Sequence, residues 1–397
     1  MAENETKKRA AGEACGSLFY VYAAPHRNFQ KIFVILQIMK NDLPKAKTLQ
    51  IEPLTRIFKN TSATYKFYWF IGILDLYVKR EMTRIKIWDI MVEMTVNAWY
   101  PVSYFRLSFG KSDSLRDAII TLQEANDIPM NINPNELRKW LNGHRNDSSV
   151  RKTLDFLPKN VPYWFLRPWI DVADTKEIVR RSQSLEKDCL YKLTKEDDSI
   201  WVELNPKWLS YLKEHYVILK DYTYWNLSSF LQVRNPNVPN ISSKLVKAES
   251  RQSLTKQRNY WDFVLGHTNG QKCIYTGKPI VVDNYDLDHF IPWSFVSHNL
   301  LWNLIPADCS VNSSKSDRLP SLDRYLLKLA TTQQKAVRIC IKEHYQGQEI
   351  LEDYVTLGCT PQELAQMSKT TLYNCFARTF NPMSQIAQNM GFEIWKN

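Results

Sequence analysis

Between Cys273 and Ser321 the chain sets Asp288 directly before His289 and follows them with Asn303 and Asn312. A carboxylate and a neutral amide oxygen are hard ligands, suited to Mg²⁺ or Mn²⁺, which keep several waters and take the rest of their shell from phosphate oxygens. An imidazole is the side chain whose ordinary pKa suits proton abstraction from water at neutral pH. The reaction that wants these groups together is phosphodiester hydrolysis, in which a metal offsets charge on the transition state and on the leaving oxygen. On this reading Asp288 and Asn312 are the metal ligands and His289 is the general base. Asn303 locks the local backbone or orients the imidazole, and Lys315 and Arg318 meet phosphate as cations. A lone Asp-His pair is more often structural; the company of Asn303 and Asn312 is what favours catalysis. His267, His298 and His344 lack that company and are expected to be ordinary, with His298 a second candidate because it lies in the same loop. Asp286 is expected in a structural or supporting role, and Asp317 beside a neighbouring cation or a turn.

The elements that must position these groups are short. Cys273 to Tyr275, a T-G-K-P turn and an extended run from Tyr285 to Ile291 suggest a hairpin whose second strand ends in D-L-D-H and stops at Pro292. Alternation along that strand puts Asp286 and Asp288 on one face and His289 on the other, unless the strand bends at its end. Asn312 opens a segment that can turn helical and present Lys315 one turn later.

The text D-L-D-H-F-I-P-W-S-F, followed by W-N-L-I-P and N-S-S-K-S-D-R-L-P-S, resembles an HNH nuclease domain with the ββα-metal fold, in its H-N-N variant. It is especially similar to the HNH domain of RNA-guided CRISPR effector nucleases, including the C-x-Y-T-G opening. The resemblance implies metal ligation by Asp288 and Asn312, general-base work by His289 and a scaffold role for Asn303. It covers about an eighth of the chain. No second nuclease site, arginine-rich bridging helix or large recognition lobe accompanies it, so guide RNA is not implied. Many such domains hold a structural zinc with two C-x-x-C pairs; Cys273 and Cys309 stand alone, so no structural zinc is expected. Tyr275, Phe290, Trp293 and Phe295 must then supply stability, at roughly 1.5 to 3 kcal/mol for each well-buried large side chain.

The remaining sequence sets the frame. A chain of 397 residues with 44% apolar and 23% charged residues is an ordinary globular mixture. A net charge of +11 favours a polyanionic partner. Seven dispersed cysteines, the absence of an export signal and apolar runs no longer than Phe67 to Leu74 point to a reducing cytoplasm and no membrane span. Few glycines precede residue 240, and apolar residues recur at helical steps at Phe29, Ile32, Phe33, Leu36 and Met39 and at Trp88, Met91, Val92 and Val96. Helices are expected over Ser112 to Glu124 and from the cap pair Asn133-Pro134, and a hairpin over Leu190–Leu193 and Ile200–Leu204. Most tryptophans before residue 230 are expected in the core. The basic cluster of Arg138, Lys139 and Arg145 around Trp140, the Arg180-Arg181 pair and the basic stretch 241–272 are either solvated faces or phosphate contacts. N-P-N-V-P-N at Asn235 to Asn240 suggests a boundary, and the tail is expected to be helical with Pro361 and Pro382 near helix starts.

The expectation is therefore a mainly α chain with a small α+β part. A helical N-terminal recognition or regulatory region, 1–240, precedes a basic linker and nuclease domain, 241–330, with its core at 273–321, and a helical extension, 331–397, packs on the nuclease. The expected function is metal-dependent endonuclease action on DNA rather than RNA, with restriction or phage defence as the role by analogy and a protein partner or homo-oligomer possible. The alternatives are a latent nuclease subunit activated by a partner and a catalytically silent DNA-binding protein.

Overall fold

The computed structural model describes residues 43–196, 199–247, 253–268 and 270–396. The helix expected through Phe29 to Met39 lies outside the described residues. The fold is mainly α with a small α+β part, 58% helix and 9% strand. No helix among the described residues is long and apolar enough to cross a membrane.

The first apolar core forms around α1 (Tyr65–Arg80) and α2 (Ile87–Trp99). The apolar run Phe67 to Leu74 is buried on every side in α1, so this is a helix surrounded by other elements. α3 (Ser114–Ala125) starts where the Asp113 carboxylate accepts from Leu115 N at 3.0 Å, and α4 (Pro134–Gly143) starts where the Asn133 amide oxygen accepts from Asn135 N at 2.8 Å. A three-stranded antiparallel sheet leans on these helices. β1 (Arg84–Lys86) pairs with β3 (Ser199–Leu204), which pairs with β2 (Tyr191–Glu196), so the expected hairpin gains a third strand from between α1 and α2. β1 is only three residues long, too short for alternation to announce it. α5 (Pro206–Glu214) and α6 (Tyr216–Arg234) complete this part. Trp69, Trp99, Trp169 and Trp208 are fully buried, whereas Trp225 lies exposed on α6. Arg138 is held in an internal ion pair: its guanidinium forms two bonds, of 2.6 and 2.9 Å, with the buried Glu93 carboxylate. Arg180 and Arg181 are both engaged by Glu177.

The second core gathers around α7 (Thr255–Gly266), the short strands of the 271–307 region and the C-terminal helices. β4 (Gln271–Lys272) pairs with β5 (Pro279–Ile280) across the T-G-K turn, where Gly277 has φ +74°, a backbone that a β-carbon would strain. β6 (Asp286–His289) does not pair with that hairpin, as the sequence suggested; its antiparallel partner is β7 (Leu304–Ala307), with Asp288 opposite Ile305 and His289 opposite Leu304. The T-G-K turn closes locally, and the apolar residues of β7 bury fully only as a partner of β6. α8 (Cys309–Lys315) follows, then α9 (Leu322–Lys342), a 3₁₀ segment (Gln348–Leu357), α10 (Pro361–Gln366) and α11 (Lys369–Asn389). Pro361 opens α10, but Pro382 sits inside α11 rather than near a start. The missing N–H costs one ladder bond there, and the helix is held through it by Phe380, which packs edge-on against Phe290 and Trp302, each with ring centroids 5.4 Å apart.

The two cores touch around the loop after β6. Phe105 packs on Trp293 at 5.9 Å between centroids, and the Asn240 amide donates to Val296 O and Ser297 O at 3.2 and 3.3 Å. Arg106 donates to Gly391 O and lies over the Phe392 ring. Lys244 is fully buried beside this seam with no acidic partner among the described residues; its ammonium donates to Pro239 O and stands 5.7 Å from the Phe105 ring centroid. Burial pushes its pKa down to about 7 from the ordinary 10.5. Between those values the unfolded chain binds the extra proton, so stability rises with pH, while below pH 7 both states carry the charge and the burial cost is fully present. Urea unfolding of wild type and Lys244→Met from pH 6 to 10 should show a stability difference that favours the variant most at low pH and shrinks as pH rises through 7. A pH-independent difference would contradict the buried-charge assignment.

Candidate functional site

β6 and α8 bring the polar residues together. Asp286 and Asp288 both reach toward α8, as their shared strand face requires. The Asn312 amide donates to Asp286 Oδ2 at 3.3 Å, and one turn later Lys315 Nζ donates to Asp288 Oδ1 at 2.9 Å and to His289 O at 2.7 Å. The Tyr275 hydroxyl donates to Asp288 Oδ2 at 2.6 Å. Asp288 is only 2% exposed and Lys315 is 0% exposed, so both oxygens of a buried carboxylate are satisfied, one by a phenol and one by an ammonium.

Lys315 therefore does not occupy the place expected for a surface phosphate contact. Its ammonium lies inside, where a carboxylate and a backbone carbonyl take the place of water. Arg318 does stay at the surface, donating to Ser314 O at 3.0 Å near the end of α8, with Glu393 3.7 Å away. The start of α8 is fixed by Asp308, which accepts from Ser310 N at 3.0 Å. Hydrogen bonding from Ser310 and the ammonium of Lys278 hold the Asp308 carboxyl below its usual range.

His289 ends β6. Its Nε2 stands 3.0 Å from Asn299 Oδ1. Asn303, fully buried, does not touch the imidazole in any bond described. It clamps the backbone just past it instead: Oδ1 accepts from Ile291 N at 2.8 Å, Nδ2 donates to Ile291 O at 2.9 Å, and its own carbonyl accepts from Phe290 N at 2.8 Å. That ring of bonds holds the exit of β6 and so the direction of His289. The clamp is itself anchored, since Asp353 accepts from Leu301 N at 2.8 Å and Gln333 donates to Leu301 O and Leu304 O at 2.9 and 2.8 Å.

His298 differs from His289 in kind. Burial, then the neighbouring His289 and Lys244, push its pKa down to about 3, so it is neutral at physiological pH and too weak a base for water activation. Sequence reasoning missed two partners. Tyr275 figured only as an apolar neighbour, although a buried tyrosine hydroxyl ordinarily finds an acceptor. Asn299 carried no signal, since it sits in an irregular loop without periodicity.

These residues lie within one short segment. Residues 273–321 match the family model described as HNH endonuclease. No solved structure matches the chain. The HNH match spans both strands and α8 and supports a nuclease function and nucleic-acid binding for this segment, while the region before it remains unrecognised.

Breaking a buried pair strands a charge, at about 3 to 5 kcal/mol. Lys315→Met and Asp288→Asn should each lower unfolding stability by about that amount, and the two combined should recover most of it. Urea denaturation of the two single variants and the double variant measures the coupling; additive losses would mean that the pair does not hold α8 to β6.

Proposed function

We propose that the protein is a metal-dependent endonuclease that hydrolyses phosphodiester bonds in DNA. The single observation that carries this reading is that, within the HNH-matching segment, Asp286 and Asp288 of β6 are joined to Asn312 and Lys315 of α8 directly beside the residue that supplies the imidazole, His289. Asp286, Asp288 and Asn312 offer oxygen ligands from adjoining elements, the donor type that suits a hard divalent ion once the Lys315 contact to Asp288 gives way. A positive charge already stands against Asp288 in the form of the Lys315 ammonium, which marks this carboxylate as a place where a cation is favourable. Asp288 and Asn312 would hold the ion, which when bound offsets charge on the scissile phosphate and the departing oxygen.

The chain's own residues do the rest. Asn299 on Nε2 orients the His289 ring so that its other nitrogen takes the proton of the attacking water. Asn303 is a positioning residue, holding the backbone that aims the ring. Lys315, once released from Asp288, supplies a cation beside the phosphate; while paired, it competes with a metal for the same carboxylate. That competition favours a second reading, a nuclease latent until a ligand or partner shifts α8. DNA is preferred as substrate on the HNH resemblance, and a charge of +11 suits a polyanion. A role in restriction or phage defence is analogy.

Purified full-length protein, incubated with supercoiled plasmid, single-stranded DNA and RNA in parallel, should nick plasmid with Mg²⁺ or Mn²⁺ and stop with EDTA. His289→Ala should lose about 100-fold or more in rate while its affinity for duplex DNA stays within about threefold. Undiminished cutting by His289→Ala, or cutting that ignores EDTA, would overturn the reading.

A further inference from the structure

A separate cleft of about 820 Å³ opens in the first core, between the segment before α1 and residues 160–171. Its size falls within the range of small-molecule sites. Its lining is charged in one sense: Arg56, Lys59, Lys66, Arg167 and Lys187 face Asp171 as the sole acid. Arg56 has only a loose contact with Glu52, at 3.9 Å between exposed side chains. Among the described residues Lys59, Lys66, Arg167 and Lys187 form no ion pair, which sets them apart from Arg80, Arg138, Arg180 and Arg181, each paired with a glutamate.

The middle of the cleft is the most demanding place. The Lys66 ammonium is half-buried and donates to Ile57 O and Asn60 O, both at 3.3 Å, bonds that satisfy its hydrogens without neutralising its charge. Arg167 lies close enough to disfavour that charge further, after burial itself. The Arg167 guanidinium stands 5.2 Å from the Trp164 ring centroid, and Trp164 also lines the cleft. Five cations facing one carboxylate in a concave wall repel one another, and an anion that joins them relieves this. An indole beside a guanidinium adds a surface on which a planar ring stacks.

We infer that this cleft binds a phosphate ester carrying a planar ring, a nucleotide either free or at the end of a nucleic-acid strand. Phosphate oxygens meet Lys66 and Arg167, and the base lies against Trp164. The site owes nothing to the nuclease reading, since none of its residues belongs to the HNH-matching segment.

Calorimetric titration of the full chain tests this, with ATP and inorganic pyrophosphate as probes in metal-free buffer. Both should bind. Lys66→Gln and Arg167→Gln should each weaken both probes about tenfold or more. Trp164→Leu should weaken ATP about fivefold and leave pyrophosphate unchanged. His289→Ala should bind like wild type, which keeps failure here distinct from failure of the nuclease assignment. A 5′-phosphorylated single-stranded oligonucleotide that displaces ATP assigns the strand end as the source; failure to displace assigns the free nucleotide. Melting curves confirm that each variant is folded. No binding of either probe, or binding untouched by both charge substitutions in folded protein, would overturn the inference.

Discussion

The candidate site depends on one buried ion pair, Lys315 with Asp288. Taking an ammonium and a carboxylate out of water costs several kcal/mol each, and their attraction offsets this only where geometry is close and the remaining hydrogen-bonding groups find partners. Here they do: Tyr275 takes the second carboxylate oxygen, and the His289 carbonyl takes a second ammonium hydrogen. Such a pair adds little net stability over an apolar replacement, but it fixes orientation. It ties the T-G-K hairpin, β6 and α8 to one point, and that point is the residue before the imidazole.

The rest of the second core acts as a frame for that point. Asn303 holds the chain leaving β6, Asp353 and Gln333 hold the loop that carries Asn303, and Phe380 carries α11 through a proline to press on Phe290 and Trp302. The first core reaches the same loop from the other side through Asn240 and Phe105. Polar satisfaction and packing thus converge on a short stretch, 290–303, whose only regular structure is a single α-helical turn, Trp293–Val296, and a single 3₁₀ turn, Leu301–Asn303.

What was legible in the sequence follows from range. Local rules worked: the caps at Asn133 and near Asp113, the hairpin of β2 and β3, the burial of Phe67 to Leu74 and the sharing of one strand face by Asp286 and Asp288 all depend on neighbours a few residues away. Pairings across long separations did not show. The T-G-K turn is adjacent to β6 in sequence, whereas the partner of β6 lies beyond the following loop at residues 304–307. A lysine is usually a surface cation, and nothing local to Lys315 announces its buried partner, an acid 27 residues earlier. Residue types in the site were readable because hydrolytic chemistry restricts them, but whether Asn303 or Asn299 touches the imidazole is a matter of loop path, which no periodicity encodes.

The most direct measurement of the central claim is a crystal structure grown with Mn²⁺ and a duplex carrying a non-bridging phosphorothioate, with anomalous diffraction to locate the ion. An anomalous peak should lie on Asp288 and Asn312 with a phosphate oxygen on it, and Lys315 Nζ should have moved off Asp288 Oδ1 toward the strand. An ion seated elsewhere while Lys315 and Asp288 keep their 2.9 Å contact would contradict that claim.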